Sequence, residues 1–491
     1  MAICRRHFNL GLVAGGAARA VSALVPRPKL LVLVVLEQIR QDYWDSAEGQ
    51  FGVNGLRRLL LKGSHFPDCR HLASTFPAST LATLATGAWP AEHGIVADTW
   101  FDGAAKSVTS ASQEALLATT LMAQVAGERQ TRTFVISLDA PHAGLVAGAS
   151  AARQFWMDAS GSFTTLGEAP VWLDEFNRLK PLDNARNTLW MAVDAKTGAP
   201  PLRTLTYDEA HPEQFVELYK GSHLGQGAQF ELLAHMIDKE RLGQQESFDF
   251  VCLVTSSSSR LGYETGGRSP LMRQMTLQLD VQLGFLLNRL KSGPGDNGYN
   301  LVLAGGHGAP PAPPAESRAR MAVPGEAVAQ LVNKALDEHS LGNVSRYVYP
   351  FLYLDTSGFR DPEPVRQAAG RAAMEHPAVA GFYTAGGYCS TNDGWRDRFR
   401  NSFHPTRSGD VMLAYRPEYV EDYAQGRGIS YGSLYNYDVR VPLLFYGPQF
   451  VQGVFEAPVQ SVDVAPTLAR AMGVPSPSSS DGRVLGEAFN E

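Results

Sequence analysis

The sequence predicts an α/β fold: a doubly wound, mostly parallel sheet with helices on both faces and cap insertions over one edge. Three observations carry this reading. Apolar runs without alternation recur at 29–36, 131–138, 248–255 and around 299–306. Helical patterns separate several of them, and polar Ser- and Gly-rich stretches follow their carboxyl ends. A strand covered on both faces reads as a continuous apolar run, and strands alternating with helices build a parallel sheet. With 491 residues, 44% of them hydrophobic, the chain can bury one large core carrying insertions.

The elements follow in order. "KLLVLVV" opens as a central strand and turns polar at Glu37, where ligands sit in open α/β sheets. Ser74 to Ser79 reads as a turn, and Leu81 to Thr86 as a short Ala-rich helix closed by Gly87. "TRTFVISL" is the next strand. "FDFVCLVTSSSSRLGYETG" (248–266) is a strand running into a Ser-rich loop. Residues 269–291 form an amphipathic helix with Pro270 in its first turn and Leu279, Leu283, Leu286, Leu287 and Leu290 on one face. "NLVLAGGHGAPP" (300–311) is a strand ending in a histidine on a tight turn. "DVRVPLLFYGP" (438–448) is a further strand, and 462–474 a helix with Pro466 in its first turn. Two long mixed stretches, about 145–245 and 309–407, are expected as caps on a domain spanning 28–491.

Residues 1–25 resemble an export signal: Arg5-Arg6-His7-Phe8-Asn9-Leu10 is twin-arginine-like, and a mildly apolar stretch with an Ala-x-Ala-like exit follows. A periplasmic location is therefore expected. No other run of 18 apolar residues occurs, so no membrane span is expected. The net charge of −6 offers no basic footprint for nucleic acid. Four cysteines (Cys4, Cys69, Cys252, Cys389) show no Cys-x-x-Cys spacing, and Cys252 reads as a small buried hydrophobe.

Six motifs, "VLEQIRQDY", "TFPASTLATLATGAWPAEHGIVADTWFD", "LAGGHG", "RSGDVMLAY", "SYGSLYNYDVRVPLLFYG" and "SVDVAPTLARAMGVPSPSSSDGRVL", together resemble the alkaline phosphatase superfamily. Within it they are similar to the single-Thr phosphatases related to type I phosphodiesterases and nucleotide pyrophosphatases. The resemblance runs from residue 30 to 486 and implies two-zinc phosphoryl transfer, in which Asp- and His-held metals activate a Thr nucleophile and clamp phosphate oxygens.

This chain departs from the family pattern at the positions that carry that chemistry. The first ligand, an Asp in the family, is Glu37, whose extra methylene moves its oxygens beyond what a zinc site tolerates. The nucleophile position falls on Pro77, which has neither a hydroxyl nor a backbone N–H. Thr75, Ser79 and Thr80 are nearby hydroxyls that also read as turn and cap residues. A phosphate-contacting Asn becomes Asp98, and a Lys and an Arg become Asp139 and Pro141. The remaining ligand positions are Ser259, Tyr263, Gly306, His307 and Tyr431; His307 alone is unchanged. The resemblance with these losses implies a degenerate site: an exported pseudo-phosphatase with no cofactor expected, Glu37 and His307 being only weak metal candidates. Two alternatives stay open. One is a divergent phosphomonoester or diester hydrolase rebuilt on Glu37, Asp98, Asp139, His307 and Asp438. The other is a non-catalytic partner of an active paralogue. The bound ligand or protein partner is not specified by any motif.

Overall fold

The computed structural model describes residues 27–128, 131–179, 182–310, 321–391, 394–417, 419–421 and 431–490. The export-like segment, with Cys4 and Arg5 to Leu10, and most of the Pro-rich 308–316 stretch lie outside the described residues.

The strands that frame the site are, in chain order, β1 (Leu30–Leu36), β2 (Ser64–Arg70), β3 (Thr131–Ile136), β4 (Arg153–Met157), β5 (Phe163–Thr165), β6 (Phe248–Thr255), β7 (Tyr299–Gly305), β8 (Val344–Val348), β9 (Phe351–Leu354), β10 (Val379–Thr384), β11 (Val411–Tyr415), β12 (Arg440–Tyr446), β13 (Gly453–Val454) and β14 (Val459–Gln460). The main sheet has the spatial order β13-β2-β12-β7-β1-β6-β3-β4-β5, with β14 beside β2. Its centre, β7-β1-β6-β3-β4, is parallel throughout, while β12 and β5 run antiparallel to their neighbours. A second sheet, β8-β9-β11-β10, is antiparallel and draws on the later of the two stretches expected as caps. The earlier stretch contributes β4 and β5 to the main sheet.

Helices that bear on the site are α1 (Pro77–Thr86), α2 (Ala140–Ala147), α3 (Pro212–Lys220), α4 (His223–Lys239), α5 (Ser257–Thr265), α6 (Pro270–Ser292) and α7 (Val464–Met472).

β1 is buried along all seven residues and divides the core. Leu31, Leu33 and Val35 pack with α1, α2 and α7; Leu30, Val32, Val34 and Leu36 pack with α4 and α6. This is the alternation of a strand sandwiched between helical layers. The five leucines predicted for one face of α6 are all buried on the second side, each contributing about 2 kcal/mol of apolar transfer. Ser269 caps α6 through its hydroxyl, which accepts from Met272 N–H at 3.2 Å.

Two local expectations are corrected. The turn read through Ser79 ends at Phe76, and α1 already begins at Pro77, whose fixed φ suits the first helical position. Gly87 then closes α1 at φ +73° as expected. The Ser-rich stretch after β6 is also helical, as α5. There Ser258 Oγ donates to the Glu37 carbonyl at 2.7 Å and Thr265 Oγ1 to the Leu261 carbonyl at 2.9 Å, so hydroxyls that compete with a helix elsewhere are occupied. Cys69, Cys252 and Cys389 are buried and free. Among the described residues no helix is long and apolar enough to cross a membrane.

Candidate functional site

Register brings the site together. Leu36 pairs with Thr255 on one side and with Gly305 on the other, so β1, β6 and β7 end at one level. Glu37, the Ser256–Ser259 segment and Gly306-His307 therefore leave the sheet's carboxyl edge side by side, and Asp139 arrives one strand further along, after β3. They open on a cleft of about 780 Å³. Its wall includes Glu37, Pro77, Asp98, Asp139, Pro141, Ser259, Tyr263 and Tyr431 from the sequence-derived set. Gly306, His307 and Asp438 are outside that wall, as are Thr75, Ser79 and Thr80.

Glu37 is 1% exposed, and neither carboxylate oxygen receives a hydrogen bond. His142 Nδ1 stands 3.2 Å from its Oε1, within ion-pair range but without hydrogen-bond geometry. Burial, reinforced by Asp139 and Asp98 and opposed by His142 and Arg260, pushes the Glu37 carboxyl up to about 7.

Pro77 is the first residue of α1, so that helix start presents no N–H there. The next N–H, of Ala78, donates to Asp98 Oδ1 at 2.9 Å. Asp98 thus sits as a carboxylate cap on the positive end of α1, where the resemblance implies a phosphate. Burial raises its carboxyl, and the Ala78 N–H opposes the rise. The nearby hydroxyls behave as structural groups: Thr75 Oγ1 donates to the Ser433 carbonyl at 2.9 Å and Thr80 Oγ1 to the Pro77 carbonyl at 3.1 Å. Ser79 Oγ is buried without a partner.

Asp139 precedes α2 and accepts from Arg260 Nη2 at 2.6 Å, with Lys220 Nζ at 3.8 Å. Burial alone would raise its carboxyl, but Arg260, His142 and Lys220 outweigh burial and hold it below the ordinary range. Arg260 also pairs with Glu217 of α3. Pro141 sits in the first turn of α2 and offers no N–H.

His307 is fully buried, and its Nδ1–H donates to the Gly308 carbonyl at 2.7 Å, which leaves Nε2 as a lone pair without a partner. Burial drives its pKa down to about 3. The Tyr431 ring packs against it, centroids 5.0 Å apart. Asp438 is buried, held by the N–H and hydroxyl of Ser433, and makes no hydrogen bond to His307 among the described residues. The five groups of the rebuilt-hydrolase alternative therefore do not assemble round His307: three line the cleft and two lie outside it. Sequence reasoning missed His142 and Arg260. His142 directly follows Pro141, and Arg260 directly follows Ser259 within the quoted 248–266 stretch, so a search for charge near the altered positions would have found them.

A two-zinc cage needs about four good donors per ion. Of the six ligand positions, Glu37 and His307 alone present unpartnered carboxylate or imidazole donors. No group of three His, Cys, Asp or Glu side chains gathers for a metal among the described residues. The side chains in place do not fit a two-zinc centre.

Comparison with known proteins adds the following. The model of the type I phosphodiesterase / nucleotide pyrophosphatase family matches residues 31–420. The chain is 26% identical to alkaline phosphatase PhoV of Synechococcus elongatus, covering 94% of this chain and 93% of that one. It is 24% identical to alkaline phosphatase PafA of Elizabethkingia meningoseptica over 97% of each. The crystal structure of wild type PafA superposes with a TM-score of 0.80 at 22% identity, covering 95% of this chain and 99% of that chain, and bears out the alkaline-phosphatase-like α/β fold. These relatives overturn the expectation of no cofactor. They are alkaline phosphatases over nearly the full length, the class for which the resemblance implies zinc.

Proposed function

Because the chain belongs to the type I phosphodiesterase / nucleotide pyrophosphatase family, we propose that it is an exported member that keeps the alkaline phosphatase fold and cleft but no longer hydrolyses phosphate esters. One observation carries this: Pro77 opens α1 where the nucleophile falls, and the Asp98 carboxylate occupies the N–H next to it. A carboxylate there repels a phosphate about 4 Å away by about 1–4 kcal/mol, depending on how far solvent screens it. Asp139 and Pro141, at positions that the resemblance assigns to cations, offer a phosphate no cationic donor, and Arg260 and Lys220 are already engaged by Asp139.

The segments about 145–245 and 309–407 serve in this reading as caps controlling access to the cleft, and residues 1–25 as the export signal. The altered side chains at Ser259, Tyr263, Gly306 and Tyr431 support the loss of phosphate-ester hydrolysis.

The assay is hydrolysis of p-nitrophenyl phosphate and bis(p-nitrophenyl) phosphate with zinc supplied. The expected rate is at the buffer background for both. Turnover above background that disappears on Glu37→Gln would sink the reading in favour of the rebuilt hydrolase, for which the Glu37–His142 contact at 3.2 Å is the supporting observation.

A further inference from the structure

Resting on the reading that this cleft no longer serves phosphate transfer, we propose that it binds an organic cation bearing N–H donors, an alkylammonium or a guanidinium, on Glu37 and Asp98 beside an aromatic wall.

The charges around the cleft do not balance uniformly. Five carboxylates line it: Glu37, Asp98, Asp139, Glu217 and Glu264. Three of them have cationic partners at short range. Asp139 and Glu217 share Arg260 and Lys220, and Glu264 takes both terminal nitrogens of Arg203 at 2.9 and 2.5 Å. Among the described residues Glu37 and Asp98 have no Lys or Arg within ion-pair distance; His142 stands 3.2 Å from Glu37, and Arg260 acts on it only from further away.

Glu37 is the decisive group. It is buried in the wall of the cleft, and both of its oxygens lack a hydrogen-bond donor. Buried polar atoms in folded proteins are nearly always satisfied, so two orphan acceptors on one carboxylate mark the place of an absent donor. A phosphate has no N–H to offer and the wrong charge. A metal ion would need further donors that do not converge here. An ammonium or guanidinium group supplies both the donors and the charge.

The second half of the site is aromatic. A smaller cavity of about 320 Å³ shares Asp98, Tyr263 and Tyr431 with the cleft and adds Phe76 and Tyr349. Ring faces attract organic cations and accept the alkyl part of an amine. The two cavities together offer a charged end and an apolar end, the usual division of a small-molecule site.

Isothermal titration of the full chain with butylamine and methylguanidine tests this, with tetramethylammonium, inorganic phosphate and zinc chloride as comparison probes. Saturable binding of either N–H cation is expected, at least tenfold tighter than tetramethylammonium, which has the charge without the donors. Glu37→Gln, checked for folding by circular dichroism, should weaken it at least tenfold. If that variant does not fold, the comparison with tetramethylammonium on the unaltered chain decides. No saturable binding, equal binding of tetramethylammonium, or a preference for phosphate or zinc would overturn the proposal. Phosphate-ester turnover would instead sink the non-hydrolytic reading on which it rests, so the two failures are told apart.

Discussion

Buried titratable groups set opposite pH trends in this fold. His93 is fully buried, accepts from the Ile95 N–H at Nδ1 (3.1 Å) and points Nε2 at Thr83 Oγ1 (3.0 Å), so a second proton has no place. Burial lowers its pKa to about 3. The unfolded chain then binds more protons between pH 3 and 6.5, and stability is lost as pH falls through that window. Asp438 works the other way. Burial raises it to about 7, against the hydrogen bonds from Ser433, and its Oδ1 is unpartnered. The folded state holds a proton that the unfolded state releases near pH 4, so this group weakens the fold as pH rises from about 4 to about 7. Asp438→Asn should therefore gain stability relative to the unaltered chain as pH rises across that range. Urea midpoints at pH 4, 5.5 and 7.5 measure it, and a difference independent of pH would refute it.

At the scale of elements, the central parallel strands were legible because a doubly covered strand has no polar positions to confuse it. β1, β3, β6 and β7 fall within a residue or two of their apolar runs, and α6 is marked at both ends by Pro270 and Gly293. The start of α1 was not legible. Its cap is Asp98, twenty residues away, so the one local signal is Pro77 itself, a residue that suits a turn as well as a first helical position. The charge pairing of the cleft was equally hidden, since Arg260 on α5 meets Asp139 before α2 and Glu217 on α3 only in space. The turn after β7 gives a contrast that can be measured. A Cβ at Gly306 would meet Glu37 Cγ at 3.5 Å, an ordinary contact, whereas one at Gly308 would lie 1.9 Å from the Tyr437 carbonyl oxygen. Gly306→Ala should change stability by less than about 1 kcal/mol and Gly308→Ala should cost about 1–3 kcal/mol or more. Thermal melts that rank them the other way would contradict this geometry. Position 306 therefore accepts a Cβ without a clash, and glycine is not required there for the first side-chain atom.

For the molecule as a whole, the family and fold were readable from six motifs in order, while the ligand chemistry depends on which charges remain unpaired, a property of the assembled cleft. One further feature reaches beyond the site. The three free cysteines among the described residues are distributed through the core: Cys252 in the centre of β6, Cys69 in β2 nearer the sheet's edge, and Cys389 just past β10 in the antiparallel sheet. Burial holds the Cys69 and Cys252 thiols well above their ordinary range. All three thiols are buried, so each is silent to an alkylating reagent until its own surroundings open. Together they form an internal set of clocks for local opening. Pulsed labelling in mild urea should modify Cys389 first and Cys252 last, the latter at the rate of global unfolding, so mass spectrometry could follow how this scaffold comes apart without adding any probe.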